Sequence, residues 1–273
     1  MAVVRGLSGR TPLAQRLNLR RYRDLVKILA ERSLKVRYRG SALGVYWSLL
    51  NPLFMTVLYT AIFGTAFAAY YDNSLVNYIL ACFVGLIALN FFSQTTNQAL
   101  SSIVANGSLL NKLEMPPSVF PISLVAANLF QFMVGAMPLL IIVTLARTHS
   151  VLNVVWLIVP TFALLMFATG FSLLTSSVFV FFRDLPYMYE LVISVLWLTS
   201  PIFYPQALVP PTVRPYLAVN PLAEIIDAFR TIAFSPGTPN LHTLAYSLIG
   251  GGVSLVVGAG TFLLLRRNFL DLL

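Results

Sequence analysis

Charge is missing from this sequence in long, regularly spaced blocks, and that absence decides what the chain can fold into. Stretches without Asp, Glu, Lys or Arg cover 40–71, 73–111, 115–146, 148–182, 191–213 and 231–265, with lengths of 32, 39, 32, 35, 23 and 35 residues. A membrane-crossing helix needs about 20 predominantly apolar residues. Each block holds one such helix with its flanks, and none comfortably holds two. The pattern predicts six spans, near 45–69, 77–101, 120–145, 154–178, 187–205 and 243–264. Only 10% of the 273 residues are charged, against roughly 25% in an average soluble domain. Mean hydropathy is +0.81. A soluble enzyme, a disordered tail and a secreted disulfide scaffold are thereby excluded, and the lone Cys82 permits no intrachain disulfide. The expected fold class is an all-α polytopic membrane protein.

The charges that remain set the orientation. Eleven of the 18 basic residues lie between Arg5 and Arg39. A basic arm can hold nucleic acid or anionic lipid; beside so apolar a chain, the lipid surface is the expected partner and nucleic acid is not. With the N-terminus inside, 15 basic residues fall on inner segments and only Arg147, Arg214 and Arg230 on outer ones. The positive-inside rule favours that choice and places both termini in the cytoplasm. Residues 1–40 contain no apolar stretch of signal-peptide type, so the first span is expected to direct insertion.

Within the arm, Tyr22, Leu25, Val26 and Leu29 recur at helical spacing among charged neighbours, which predicts an amphipathic helix in the inner interface. Lys35, Arg37, Tyr38 and Arg39 follow, just before the first span. They read either as an orientation signal on anionic lipid or as a landing site for an anionic headgroup. Pro52 should bend the first span, and Asn51 is expected to find a packing partner. Between the second and third spans, Asn106-Gly107 predicts a turn and Pro116-Pro117 a stop, with room for a short helix carrying Lys112 and Glu114. Asp184 is placed to cap the fifth span with Pro186 in its first turn, leaving Arg183 to contact lipid phosphate. The Gly250, Ser254 and Gly258 face of the sixth span allows close packing inside one subunit or between two.

The most unusual region follows the fifth span. Pro201, Tyr204, Pro205 and four further prolines break the chain, and a helical pattern resumes at Leu222. Two short re-entrant helices over 203–235, dipping into the outer leaflet, fit this composition. Glu224, Asp227 and Arg230 share one helical face. They are candidates for function or for an Arg–carboxylate pair that pins the helix. No G-x-x-x-x-G-K-[ST] motif occurs, so the chain cannot bind ATP by a P-loop. His149 and His242 have no metal-ligand spacing, and no catalytic triad can be assembled, so neither catalytic nor metal residues are expected.

The ordered set Lys35-Val-Arg37-Tyr38-Arg39-Gly-Ser41-Ala-Leu43-Gly44-Val-Tyr-Trp47, Leu50-Asn51-Pro52-Leu53, Asn111-Lys112-Leu-Glu-Met-Pro116, Phe182-Arg183-Asp184, Ser200-Pro201-Ile-Phe-Tyr204-Pro205 and Asn220-Pro221 with Arg230 resembles the membrane subunit of polysaccharide and polyol-phosphate ABC exporters. The likeness runs from about residue 20 to the C-terminus. Met115-Pro116-Pro117 departs from it, where that family often shows a Phe-Pro pair. The resemblance implies an arm and interfacial helix over 1–40 and a six-helix permease over 41–273 of the bacterial inner membrane. It implies a homodimer bound to two copies of a separate ATPase that holds ATP and Mg. A coupling helix over 105–117 would include Asn106, Asn111, Lys112, Glu114, Met115 and Pro116. Lys35, Arg37, Tyr38, Arg39 and Arg183 would receive the substrate headgroup. Pro201, Tyr204, Pro205, Glu224, Asp227 and Arg230 would belong to an outer gate. The implied cargo is a lipid-linked glycan of O-antigen, capsule or teichoic-acid type. The same architecture exporting a drug or small lipid is one alternative; an intramembrane transferase or assembly subunit, relying on Glu224 and Asp227, is another.

Overall fold

The computed structural model describes residues 19–112, 115–214, 220–235, 237 and 239–269. The basic lead-in before Leu19 and Glu114 lie outside the described residues. The first helix, α1 (Leu19–Arg37), has Lys35 and Arg37 in its last turn, where cations complement the carbonyl end. Ala30 is its only buried residue. Gly40 then turns the chain with φ of 76°, a conformation that favours glycine.

Apolar helices follow. They are α2 (Trp47–Phe67), entered through a 3₁₀ turn, and α3 (Leu75–Leu100), capped by Ser74 Oγ on the Asn77 amide. Two short helices, α4 (Ser102–Ala105) and α5 (Gly107–Lys112), lead to α6 (Val119–Thr148), which stops at His149 in the left-handed region. Ser150 caps α7 (Val151–Trp156), and α8 (Ile158–Phe181) continues from it. The chain ends with α9 (Leu185–Thr199), α10 (Pro221–Phe234) and α11 (Leu241–Leu265). Among the described residues, five segments are long and apolar enough to cross a membrane: Gly44–Tyr70, Leu75–Leu100, Val119–Thr148, Val151–Phe181 and Leu241–Asn268. The chain is thus an all-α polytopic membrane protein.

The remaining predicted span is shorter than the sequence pattern suggests. α9 has 15 residues, about 22 Å at 1.5 Å per residue, against the roughly 30 Å of a bilayer core. It stops at Thr199 because Ser200 precedes Pro201 and is pushed to extended geometry, with ψ of 124°. Asp184 occupies its N-cap position without making a side-chain cap bond, contrary to expectation, while Pro186 does stand in the first turn.

α3 is the axis of the molecule: 67% of its apolar window is buried, against 11% for the segment containing α2. Its Cys82–Phe92 stretch packs with α6, α8 and α10, and Phe92 stacks on Phe167 of α8 at 4.6 Å between centroids. A second cluster gathers Ile103 and Leu110 of the short helices with Phe120, Leu173, Val180, Phe262 and Phe269. The small face of the last helix packs within this chain. A side chain at Gly258 would collide with the Gly170 carbonyl of α8, one at Gly251 would come within 2.6 Å of the Ala163 carbonyl, and Gly250 faces Pro221. Ser254 Oγ donates to the Phe167 carbonyl at 3.1 Å. Asn51 departs from expectation: it is exposed, and among the described residues its side chain makes no hydrogen bond.

Candidate functional site

Two polar sites interrupt the apolar bundle, one at each end. At the end where α9 stops, residues 200–205 form an irregular bend whose carbonyls have lost their helical partners. Such backbone is tolerated at membrane depth only against protein or a watery cavity. Here side chains from α3 and α10 complete it. Arg230 of α10 donates to the carbonyls of Pro201 at 2.7 Å, Ile202 at 2.9 Å and Ala81 of α3 at 2.8 and 3.0 Å. Gly85 makes room: a Cβ there would lie 3.1 Å from the Ile202 side chain and 3.3 Å from the guanidinium. Tyr78 donates its hydroxyl to the Phe203 carbonyl at 2.9 Å. Asn220 caps α10 through the Leu222 amide and donates to Thr199 and Ser200 Oγ atoms at 3.0 and 2.9 Å.

The planar, permanently charged guanidinium suits this task, since its donors fork toward several oxygens at once. The Arg–carboxylate pin expected for this helix is therefore replaced by an Arg–carbonyl pin. Asp227 is exposed, Glu224 is half-buried, and among the described residues the single ion pair is Lys27–Glu31. Of the pair of short helices expected over 203–235, the second is present as α10. Before α10 there is a one-turn 3₁₀ segment, Gln206–Leu208, and residues 215–219 lie outside the described set. Pro201 and Pro205 are buried, and Tyr204 bonds back to the Leu198 carbonyl at 2.8 Å. Phe203 stacks on Tyr59 of α2 at 5.3 Å and lies 4.9 Å from Trp197 of α9, so the bend joins α2, α9 and α10.

The other site lies where α1 meets the bundle. Arg37 donates to Asn128 Oδ1 at 3.1 Å, Gln131 Oε1 at 2.7 Å and Gln98 Oε1. Tyr38 donates to Gln131 at 2.6 Å, and Asn128 to Gln98 at 3.0 Å. The five candidate headgroup residues thus do not form one cluster. Arg37 and Tyr38 turn inward onto side-chain amides, whereas Lys35 and Arg39 are exposed. Arg183 is exposed on the loop before α9, with its guanidinium 5.6 Å from the centre of the Phe179 ring.

Nearby, a short helix, α5 (Gly107–Lys112), falls within the predicted 105–117 range, separated at Asn106 from α4 (Ser102–Ala105). The Asn106 side-chain amide donates back to the Ser102 carbonyl of α4 at 2.8 Å. Lys112 is exposed, Met115 and Pro116 are half-buried, Asn111 belongs to α5, and Glu114 lies outside the described residues.

Sequence reasoning missed the neutral polar residues of these helices. Gln94, Asn97 and Gln98 on α3 are spaced i, i+3, i+4, and Asn128 and Gln131 on α6 are spaced i, i+3, so each set shares a face. Periodicity of amides would have revealed them; a scan for charge passes over them. Glu190 was missed because it borders a charge-free block, although it lies inside α9. Tyr189 beside it holds α9 to α3, donating to the Ser93 carbonyl at 2.9 Å with Thr96 Oγ1 at 2.7 Å.

Comparison with known proteins gives a consistent picture. The model of the family described as ABC-2 type transporter matches residues 24–234. The chain is 29% identical over 252 residues to an O-antigen export system permease protein RfbA of Klebsiella pneumoniae, covering 92% of this chain and 95% of the relative. It is 28% identical to the RfbA protein of Myxococcus xanthus, over 92% of this chain and 95% of that one. The polysialic acid transport protein KpsM of Escherichia coli is 24% identical over 78% of this chain and 81% of its own length.

Proposed function

The chain belongs to the ABC-2 type transporter family, and from that premise we propose that it is the non-catalytic permease subunit of an ATP-driven exporter that moves a lipid-linked polysaccharide of O-antigen or capsule type outward. The observation that carries this reading is the likeness to O-antigen export permeases over 92% of this chain and 95% of the relative. In this reading the chain crosses the inner membrane six times with both termini in the cytoplasm. α9 is the fifth crossing and is completed by the bend that follows it. Two copies pair and bind two copies of a separate ATPase.

The residues divide into three tasks. α4 and α5 form the coupling element, with Asn106, Asn111, Lys112, Glu114, Met115 and Pro116 toward the ATPase. Ile103 and Leu110 are wedged beneath α6, α8 and α11, so a push on the short helices reaches the bundle through packed side chains. Lys35, Arg39 and Arg183 meet the phosphates of the lipid carrier; Arg37 and Tyr38 hold α1 against the bundle while they do so. Pro201, Tyr204, Pro205, Glu224, Asp227 and Arg230 form the outer gate, whose bend is latched by Arg230. α2 and α9 carry the face for the second copy: Tyr189 is the only buried residue of α9, and α2 is largely exposed.

Co-purification with an ATPase, followed by glycan analysis after gene deletion, tests the proposal. Capture of an ATPase and glycan accumulation inside the cell are expected. A chain that recruits no ATPase, or a deletion that leaves the surface glycan intact, overturns it.

A further inference from the structure

Between α3 and α9 runs an open groove of about 620 Å³, within the size range of small-ligand sites. Its walls carry Ser93, Gln94, Asn97 and Gln98 from α3 and Glu190 and Ser194 from α9. All six lie inside apolar helices, on the half of the bundle nearer α1, since Arg37 reaches Gln98 from behind. Among the described residues, Asn97 and the Glu190 carboxylate are exposed and have no hydrogen-bond or ion-pair partner. Gln94 and Gln98 accept at their carbonyl oxygens from Gln131, Arg37 and Asn128, and among the described residues their own side-chain N–H groups have no partner. Hydrocarbon cannot satisfy such groups, and burying each without a partner costs several kcal/mol. Water satisfies them in an open groove, and an occupant rich in hydroxyls can take its place.

The charge of the groove narrows the occupant further. Among the described residues no Lys or Arg lines it, and the single ionisable lining group besides Tyr189 is Glu190. The Arg37 guanidinium, which approaches from the far side, is already bound to three amide oxygens. A passage for a polyanion needs cations along its wall; a cleft carrying one sign of charge repels the same sign. We infer that this groove receives the sugar portion of a neutral glycan and that Glu190 discriminates against polyanionic cargo. The inference rests on the exporter reading and names the substrate class for it.

Two measurements on the intact complex with its ATPase test it. In vesicles, transport of a lipid-diphosphate-linked neutral oligosaccharide is compared with that of the same lipid carrying a sialic-acid oligomer. The wild-type complex is expected to move the neutral probe at least about tenfold faster, with Glu190→Gln narrowing the ratio. Equal or faster movement of the anionic probe overturns the inference and leaves the exporter reading standing. Movement of neither probe while ATP is hydrolysed removes the exporter reading itself.

The second measurement needs no cargo. In Asn97→Cys, with the buried Cys82 retained, a cationic methanethiosulfonate should react about fivefold faster than an anionic one after correction for their rates on a small thiol. Glu190→Gln should bring that ratio near one. An introduced thiol inert to both reagents means that protein or lipid seals the groove, and the inference falls. A ratio that Glu190→Gln leaves unchanged removes Glu190 from the discrimination.

Discussion

Arg230 and Arg37 are both taken from water into the bundle, and neither meets a carboxylate. They differ in what they bind. Arg230 completes the carbonyls of a broken backbone, which have no other donor once the helix has ended at Thr199. Arg37 binds three side-chain amides, each of which can turn to another partner or to water. An arginine on backbone fixes the path of the chain. An arginine on amides fixes only how one helix sits against others.

The hardest test of that contrast is Arg230→Ala. Two carbonyls lose their donor at about 1–3 kcal/mol each, so the bend between α9 and α10 should come apart. Loss of most monodisperse protein in detergent is expected, and Arg230→Lys should rescue only part of it, because an ammonium cannot reproduce the fork. Arg37→Ala should weaken the docking of α1 by roughly 2 kcal/mol while sparing the bundle. Hydrogen exchange should show faster amides in α1 and unchanged ones in α10; global unfolding would erase the distinction between the two arginines. Asn220→Ala removes a helix cap worth about 1 kcal/mol, and thermal unfolding should fall modestly. Tyr78→Phe deletes one hydroxyl bond to the Phe203 carbonyl, and a change of about 1 kcal/mol or less is expected by the same measurement. A Tyr78→Phe effect as large as that of Arg230→Ala would mean that the bend is held by any single bond rather than by the guanidinium.

The long helices were legible because bilayer physics writes itself as missing charge, and five of the six predicted blocks became long apolar helical segments. The amphipathic α1 was legible by its 3.6-residue period. The limits of α9 were written in Ser200-Pro201, yet the charge-free block ran on to Val213 and concealed them. The partners of Arg230 were not legible, because backbone carbonyls leave no mark in a sequence and only three-dimensional closure brings Ala81 beside Ile202. The Arg–carboxylate expectation followed from i, i+3 spacing on one helix; a half-buried guanidinium took the contact that satisfied most oxygens. Lys35, Arg37, Tyr38 and Arg39 are near neighbours in sequence, but the end of α1 sends two of them inward and leaves two exposed. Gln94, Asn97, Gln98 and Glu190 carried a readable pattern that a search for like charges ignores.

The glycine contact of α8 with α11 bears on how such a protein can work. Side chains that interdigitate can slip by changing rotamer; Gly170 and Gly258 have none, and their backbones abut. The two helices consequently travel as a single beam, with Pro221 at the root of α10 resting on Gly250 of the same unit. Whatever opens during a cycle has to hinge around this beam, which makes the thinly held α2 and α9 the moving leaves and the glycine pair the door-post.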